Sequence, residues 1–265
     1  MAKISCFIIA KNEQERIAAA IKSVKEIVDE IIVVDSGSTD NTIAISESLG
    51  ARVIFNSWPG YVAQKTFGES LCKNTWILNI DADEELTPDL RDEIEFIFRS
   101  NIQNRYIAYA INVTILHRND RRPRFFAPVN KCIRIYNKKF CSYSNNSGST
   151  THDSVLFNKQ VNIKDKIYNL NGIAYHRSGV SIEQLVTKAN FYSTEQAADL
   201  VSSGRLPSKI RIIFEMILWF FKAYIIRRYI IFGFDGFVDS VIFAFTRFIR
   251  LAKAREKAKI EQDLR

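Results

Sequence analysis

Two aliphatic runs in this chain of 265 residues stop abruptly on carboxylates, and that arrangement constrains the fold more than any other feature. Trp76-Ile77-Leu78-Asn79-Ile80 leads into Asp81-Ala82-Asp83-Glu84-Glu85, and Ile31-Ile32-Val33-Val34 leads into Asp35-Ser36-Gly37-Ser38-Thr39-Asp40. A continuous aliphatic run reads as a parallel strand buried on both faces. In open α/β sheets the carboxyl ends of such strands line the ligand crevice, where clustered carboxylates can hold Mg²⁺ or Mn²⁺ against a diphosphate. A second reading of 81–85 is open: acids also favour the first turn of a helix, and Thr87-Pro88 predicts a helix start.

The flanking pattern repeats the theme. Residues 4–10 form another apolar run, which ends at Lys11-Asn12-Glu13, and Ile17, Ala20, Ile21 and Val24 follow at helical spacing. Asp40 or Thr39 is placed to cap a helix carrying Ile43, Ile45 and Leu49. A strand over 52–55 precedes Trp58-Pro59-Gly60-Tyr61 and a helix through Gln64-Lys65. Three β-α units, two ending in carboxylates, predict a nucleotide-binding α/β fold. Farther on, 106–116 and 131–136 read as strands.

Phe7-Ile8-Ile9-Ala10-Lys11-Asn12-Glu13, Val34-Asp35-Ser36-Gly37-Ser38-Thr39-Asp40-Asn41-Thr42 and the 81–85 cluster resemble the three N-terminal motifs of family 2 inverting glycosyltransferases of the GT-A fold. Trp58-Pro59-Gly60-Tyr61-Val62-Ala63-Gln64-Lys65 is similar to a narrower branch, the lipopolysaccharide core-biosynthesis glucosyltransferases. His152-Asp153, Tyr175-His176-Arg177-Ser178, Phe221-Lys222-Ala223-Tyr224 and Gly233-Phe234-Asp235-Gly236-Phe237 resemble that branch too.

The resemblance implies a Rossmann-like three-layer GT-A sandwich and transfer of a hexose, with inversion, from a UDP-sugar donor to a lipid-linked saccharide acceptor. Glucose and an inner-core heptose of lipopolysaccharide are the implied sugar and acceptor. It also implies donor contacts from Asn12, Glu13, Asp35, Lys65 and Asp81, a divalent metal (Mg or Mn) on Asp83 and His176, and Asp153 as catalytic base. Many members of the branch carry Glu where this chain has the shorter Asp153. Each role has a plainer counterpart: a turn or helix-cap carboxylate for Asp153, a surface lysine for Lys65, a hydrogen-bonded structural histidine for His176. Two other functions share these features, a transferase acting on a polyprenyl-phosphate, capsule or protein acceptor and a non-catalytic sugar-nucleotide-binding membrane scaffold. A scaffold has no chemical need for carboxylates at 35, 81, 83 and 153.

Charge draws an expected boundary between a GT-A domain over 1–204 and a C-terminal helical, basic, membrane-associating region over 205–265. The net charge is +8, and 205–265 hold 13 Lys and Arg against 6 Asp and Glu, whereas 1–204 hold 24 against 23. Within 212–226 only Glu215 and Lys222 are charged. Fifteen helical residues rise about 22 Å, short of the roughly 30 Å hydrocarbon core, so the segment predicts an interfacial helix or, failing that, an internal bundle or dimer interface. Nucleic acid is not an expected partner, because the aromatics sit in apolar runs rather than among basic residues. Arg118, Arg121, Arg122 and Arg124 crowd one loop, which is either a solvated surface or a phosphate-binding element. Four scattered cysteines and no leader-like N-terminus predict reduced thiols and a cytoplasmic protein. The basic, apolar C-terminal segment, with the lipid-linked acceptor that the resemblance implies, predicts that it is peripheral on the inner membrane.

Overall fold

The computed structural model describes residues 3–143, 155–158, 166–177, 181–204 and 206–263. Its chain divides into two compact units, Met1–Thr114 with Val129–Arg177, and Ile115–Pro128 with Ser178–Arg265. The boundary expected at 204/205 therefore falls inside the second unit, which also takes the Arg-rich loop.

The first unit is built on an eight-stranded sheet. In chain order its early elements are β1 (Ile4–Ala10), α1 (Ile17–Val24), β2 (Glu30–Asp35), α2 (Thr42–Ser48), β3 (Arg52–Phe55), α3 (Tyr61–Ser70), β4 (Trp76–Asn79), β5 (Glu84–Leu86) and α4 (Pro88–Arg99). They are followed by β6 (Ala108–Ile115), β7 (Val129–Asn137), a small ribbon of β8 (Cys141–Ser142) and β9 (Leu156–Phe157), and β10 (Ile167–His176). The strand order is β3-β2-β1-β4-β7-β6-β10-β5. Strands β3, β2, β1 and β4 run parallel, whereas β7 meets β4 and β6 antiparallel.

Alternation along β1 sorts the core into two layers. Ile4, Cys6 and Ile8 pack with Ile17, Ala20, Ile21 and Val24 of α1 and with Leu90, Ile94 and Phe98 of α4, while Phe7 and Ile9 pack on the opposite face with Phe67 of α3 and Leu71 just past its end. This is the three-layer α/β sandwich expected from the motifs. Every residue of β1 and β4 is buried, as a strand covered on both faces requires. In α2 the expected apolar stripe is weaker: Thr42 and Ser46 are its buried residues, and Ile43 stays 36% exposed. The 81–85 cluster does not start a helix. Asp81 to Asp83 turn, Glu84 and Glu85 enter β5, and α4 starts after Thr87, whose Oγ1 accepts from the Leu90 amide.

The second unit is helical, with α5 (Ile182–Ser202), α6 (Lys209–Phe221) and α7 (Gly233–Asp263); a π-helical turn, Lys222–Ile226, continues α6, and a 3-10 turn, Tyr229–Phe232, precedes α7. Gly236 is dictated by a close approach, since a Cβ there would lie 1.9 Å from the Tyr229 carbonyl oxygen. The stretch Tyr229–Glu261 is long and apolar enough, by length and composition alone, to cross a membrane. Helix α6 is turned inside out. Ile210, Ile213, Phe214, Ile217, Phe221 and Ile225 lie on one stripe and are 53–70% exposed, while Glu215 is buried and bonds Arg250 of α7 at 3.2 Å. Trp219 faces inward, with the Lys222 and Arg247 cations 4.1 and 4.3 Å from its ring.

Candidate active site

The site grows from three strand ends on one sheet edge. Strands β1 and β2 finish in register, Ala10 opposite Asp35, and their loops latch together. The Asn12 amide donates to Ser38 Oγ at 2.9 Å, Thr39 donates to Asn12 Oδ1 at 2.8 Å, and the Glu13 amide donates to Thr42 Oγ1 at 2.7 Å. Asn12 takes a positive φ of 55° to make this latch. Asp35 is buried and organises its own turn: Oδ2 accepts from the Gly37 and Ser38 amides at 2.8 and 2.9 Å, and Oδ1 accepts from Ser38 Oγ at 2.5 Å. Gly37, at φ +87°, lets the chain reverse tightly enough for both amides to reach one oxygen.

At the third strand end the carboxylates sit in a chain of buried charges. Lys65 of α3 is fully buried, with Nζ 3.0 Å from Asp81 Oδ1. Arg134 of β7 reaches Asp81 Oδ2 at 2.5 Å and also binds Glu84, while the Asp81 amide donates to the far oxygen of Glu84. Burial alone would raise the Asp81 carboxyl's pKa, but the Arg134 guanidinium and the Lys65 ammonium outweigh it and hold it well below the usual carboxylate range. Glu84 goes the other way: burial pushes its pKa up in spite of Arg134, with negative Asp81 adding to the rise. Arg134 also approaches Asn79 Oδ1, which accepts from the Tyr143 hydroxyl at 2.9 Å.

Asp83 belongs to a second, more open cluster. His176, paired with Glu84 across β10 and β5, sets Nε2 3.4 Å from Asp83 Oδ2, and Arg16 Nη1 stands 3.7 Å from the same oxygen. Arg16 is held by Glu13 and by the Arg177 carbonyl at 2.7 Å. Burial would lower the His176 pKa, but the Asp83 carboxylate overrides it, with Glu84 and Asp81 adding, and the imidazole is pushed up to about 9. His176 and Asp83 thus form an ion pair whose imidazolium must lose its proton before it can ligate a metal.

These donors fit a divalent ion bound together with a diphosphate. Among the described residues no three His, Cys, Asp or Glu side chains converge as a self-sufficient metal cage. Mg²⁺ commonly takes one or two protein carboxylates and completes its shell with phosphate oxygens and water. Asp83 and His176 offer one carboxylate and one imidazole at adjacent positions, and both are partly exposed.

Asn12, Glu13, Lys65, Asp81, Asp83 and His176 thus line one continuous region with Asp35 beneath the adjoining loop, whereas Asp153, with His152, lies outside the described residues. The sequence reading missed Arg134, Glu84 and Arg16. A lone arginine in the apolar stretch Ile133-Arg134-Ile135-Tyr136 was the available signal, since a buried charge in a strand needs a partner. All four cysteines are free thiols, as expected, and burial pushes Cys72 up to about 12.

The family model for Glycosyl transferase family 2 matches residues 5–156. A glycosyltransferase of Rickettsia felis is 68% identical over 97% of this chain and 90% of its own length. The lipopolysaccharide core biosynthesis glycosyltransferase LpsC of Rhizobium meliloti is 27% identical over 96% of this chain and 92% of its own. Glucosyl-3-phosphoglycerate synthase from Mycobacterium tuberculosis, solved with Mn²⁺, UDP and glucosyl-3-phosphoglycerate, gives a TM-score of 0.45 at 19% identity, covering 78% of this chain and 82% of that one. With that family model covering more than half of it, this chain belongs to glycosyl transferase family 2.

Proposed function

We propose that this transferase moves a hexose, glucose first among candidates, from a UDP-sugar to an inner-core heptose of lipid-linked lipopolysaccharide, inverting the anomeric centre. The observation that carries the reading is the two neighbouring clusters of paired charges, Glu13, Arg16, Asp83 and His176 in one and Glu84, Arg134, Asp81 and Lys65 in the other, at the carboxyl edge of the parallel strands. The similarity to LpsC, named for lipopolysaccharide core biosynthesis, supports the acceptor class.

In this reading the loops of Asn12 and Asp35 receive the nucleoside, and Lys65 and Asp81 form the floor beneath the donor. Asp83 and His176 would hold a Mg²⁺ or Mn²⁺ ion, which supplies Lewis-acid stabilisation of the negative charge on the departing UDP. Asp153 takes the proton of the acceptor hydroxyl as its oxygen attacks the anomeric carbon; the bond from that carbon to the diphosphate breaks on the opposite face, and UDP leaves. Arg134 keeps Asp81 ionised and fixed, so the floor needs no reorganisation when the donor arrives.

The acceptor's lipid anchor requires a membrane surface, and the second unit supports one. It holds 18 Lys and Arg against 10 Asp and Glu, whereas the first holds 19 against 19, so the whole excess of +8 resides in the unit with the exposed apolar stripe of α6. Basic residues beside exposed apolar ones suit the anionic cytoplasmic face of the inner membrane.

The test is UDP release from UDP-glucose by the full chain, with and without purified lipopolysaccharide core acceptor and with Mn²⁺ or a chelator. Acceptor-dependent release that the chelator abolishes supports the reading. Release with a polyprenyl-phosphate acceptor in place of the core moves the enzyme to another substrate class.

A further inference from the structure

The Arg-rich loop Ile115–Pro128 lies between two strands of the first unit but packs as part of the second. Two of its four arginines are spent on that packing. Arg118 Nη1 bonds both oxygens of Asp239 on α7, at 2.7 and 3.0 Å, and Arg124 donates to the Ile231 carbonyl at 2.9 Å while pairing with Asp120. His117 is buried, stacked 5.0 Å from the Phe232 ring, with Nε2 3.4 Å from Asp239 Oδ2, and Asn119 donates to Asp235 at 3.0 Å. The loop is pinned at its start, at its middle and by Arg124.

What this pinning leaves outside is unusual for a surface loop. Arg121 and Arg122 are exposed and pair with no described residue. Phe125 and Phe126 stand 84% and 64% exposed, their rings 4.3 Å apart, with Phe126 at a φ of +64° that a bulky residue adopts only at a cost. Leaving two phenylalanines in water forfeits their burial, and holding them there through several hydrogen bonds favours that exposure. The same unit carries the exposed stripe of α6 and the entire net charge, so the surface that complements this loop is both apolar and anionic.

We propose that this loop is a second bilayer contact of the helical unit, in which Phe125 and Phe126 enter the headgroup region and Arg121 and Arg122 pair with phosphates of anionic lipid. It rests on the reading of α6 as a membrane-facing helix and adds a separate attachment point. Two separate contacts resist rocking of the unit at the surface more than the helix alone does.

The experiment is co-sedimentation of the full chain with phosphatidylcholine vesicles, with and without phosphatidylglycerol. R121Q/R122Q should weaken binding to the anionic vesicles by about thirtyfold and leave the weaker binding to neutral vesicles unchanged. F125S/F126S should weaken both. Phe125→Trp supplies a readout that does not depend on lost binding: its emission should be quenched by brominated lipid beyond the wild-type chain's own quenching. Wild-type affinity in both double variants, with no added quenching, would overturn the loop contact and leave α6 as the attachment. A wild-type chain that binds neither vesicle overturns the loop contact and the membrane reading together. If R121Q/R122Q instead weakens UDP-glucose binding in the absence of lipid, the arginines serve the donor and the inference is wrong.

Discussion

The two units place charge and apolar surface in opposite ways. In the first, ions are taken inside and matched: Lys65, Arg134, Glu84 and Arg16 are all buried, each against an opposite charge, and the unit's net charge is zero. In the second, isoleucine and phenylalanine are turned outward and the charge is unbalanced. Buried ion pairs cost desolvation and rarely stabilise a fold more than apolar packing would, so a network this dense is best explained by work on a charged ligand. Exposed apolar residues cost burial, and a stripe of them is best explained by a partner that restores it. One unit buries its charges in pairs, and the other shows water an apolar stripe beside unbalanced positive charge.

The sharpest test of the first half removes the open end of the network. Asp83→Ala should reduce metal-dependent transfer a thousandfold or more, because stabilisation of the departing diphosphate is lost, while the chain still folds, less stable only by its lost ion pair with His176. Near-native turnover in Mn²⁺ would take Asp83 out of the site. Asp153→Asn should cost about a hundredfold to ten-thousandfold in transfer and leave UDP-glucose affinity by calorimetry intact, since the amide keeps the shape and lacks the basic oxygen. An equal fall in donor affinity would make Asp153 a binding residue and put the base elsewhere.

Arg134→Met addresses the buried half of the network. It strands Glu84, 3% exposed, without its counter-ion and should destabilise the chain by about 3–5 kcal/mol in urea unfolding. A change below about 1 kcal/mol, within the range of ordinary surface substitutions or little above it, would show that the pair is not the support inferred here.

The pH dependence of stability separates the open end from the buried half. His176 titrates at about 9 when folded against 6.5 unperturbed, so its ion pair with Asp83 contributes fully below about pH 6.5 and is lost as pH rises through 9. In chelator the wild-type chain should therefore lose stability across that interval, and His176→Gln should flatten the slope. The last test belongs to the second unit: raising salt toward 1 M should weaken anionic-vesicle binding by at least the roughly thirtyfold expected for Arg121 and Arg122 and leave a salt-resistant remainder from the apolar stripe. Salt-independent binding would assign the attachment to apolar contact alone.

Most of the first unit was legible because its signals are local. Each motif follows a strand whose aliphatic run is unbroken, so Asn12, Asp35, Asp81 and Asp83 could be assigned to strand ends before their neighbours were known. Arg134 was not, because its partners Asp81 and Glu84 lie 53 and 50 residues away and a lone arginine in a strand also suits a solvent face. The second unit was legible in composition and obscure in arrangement. The apolar segment at 212–226 pointed to an interfacial helix, and Trp219 within it is turned toward Phe243 of α7, beside the Lys222 and Arg247 cations. The alliance of the Arg-rich loop with α7 depends on Arg118 meeting Asp239, 121 residues on, which no local pattern encodes.

That alliance has a consequence for how the gene can be cut. Ending the chain at residue 177, at the last residue of the first unit, discards Asp235, Asp239 and Phe232 but retains the loop that depends on them. His117 and Arg118 would then hang from two strands of the catalytic sheet with nothing to hold them, beside two phenylalanines still facing water. The insoluble product to be expected from such a fragment would reflect an orphaned insertion, and the remedy is to shorten 115–128 along with the tail.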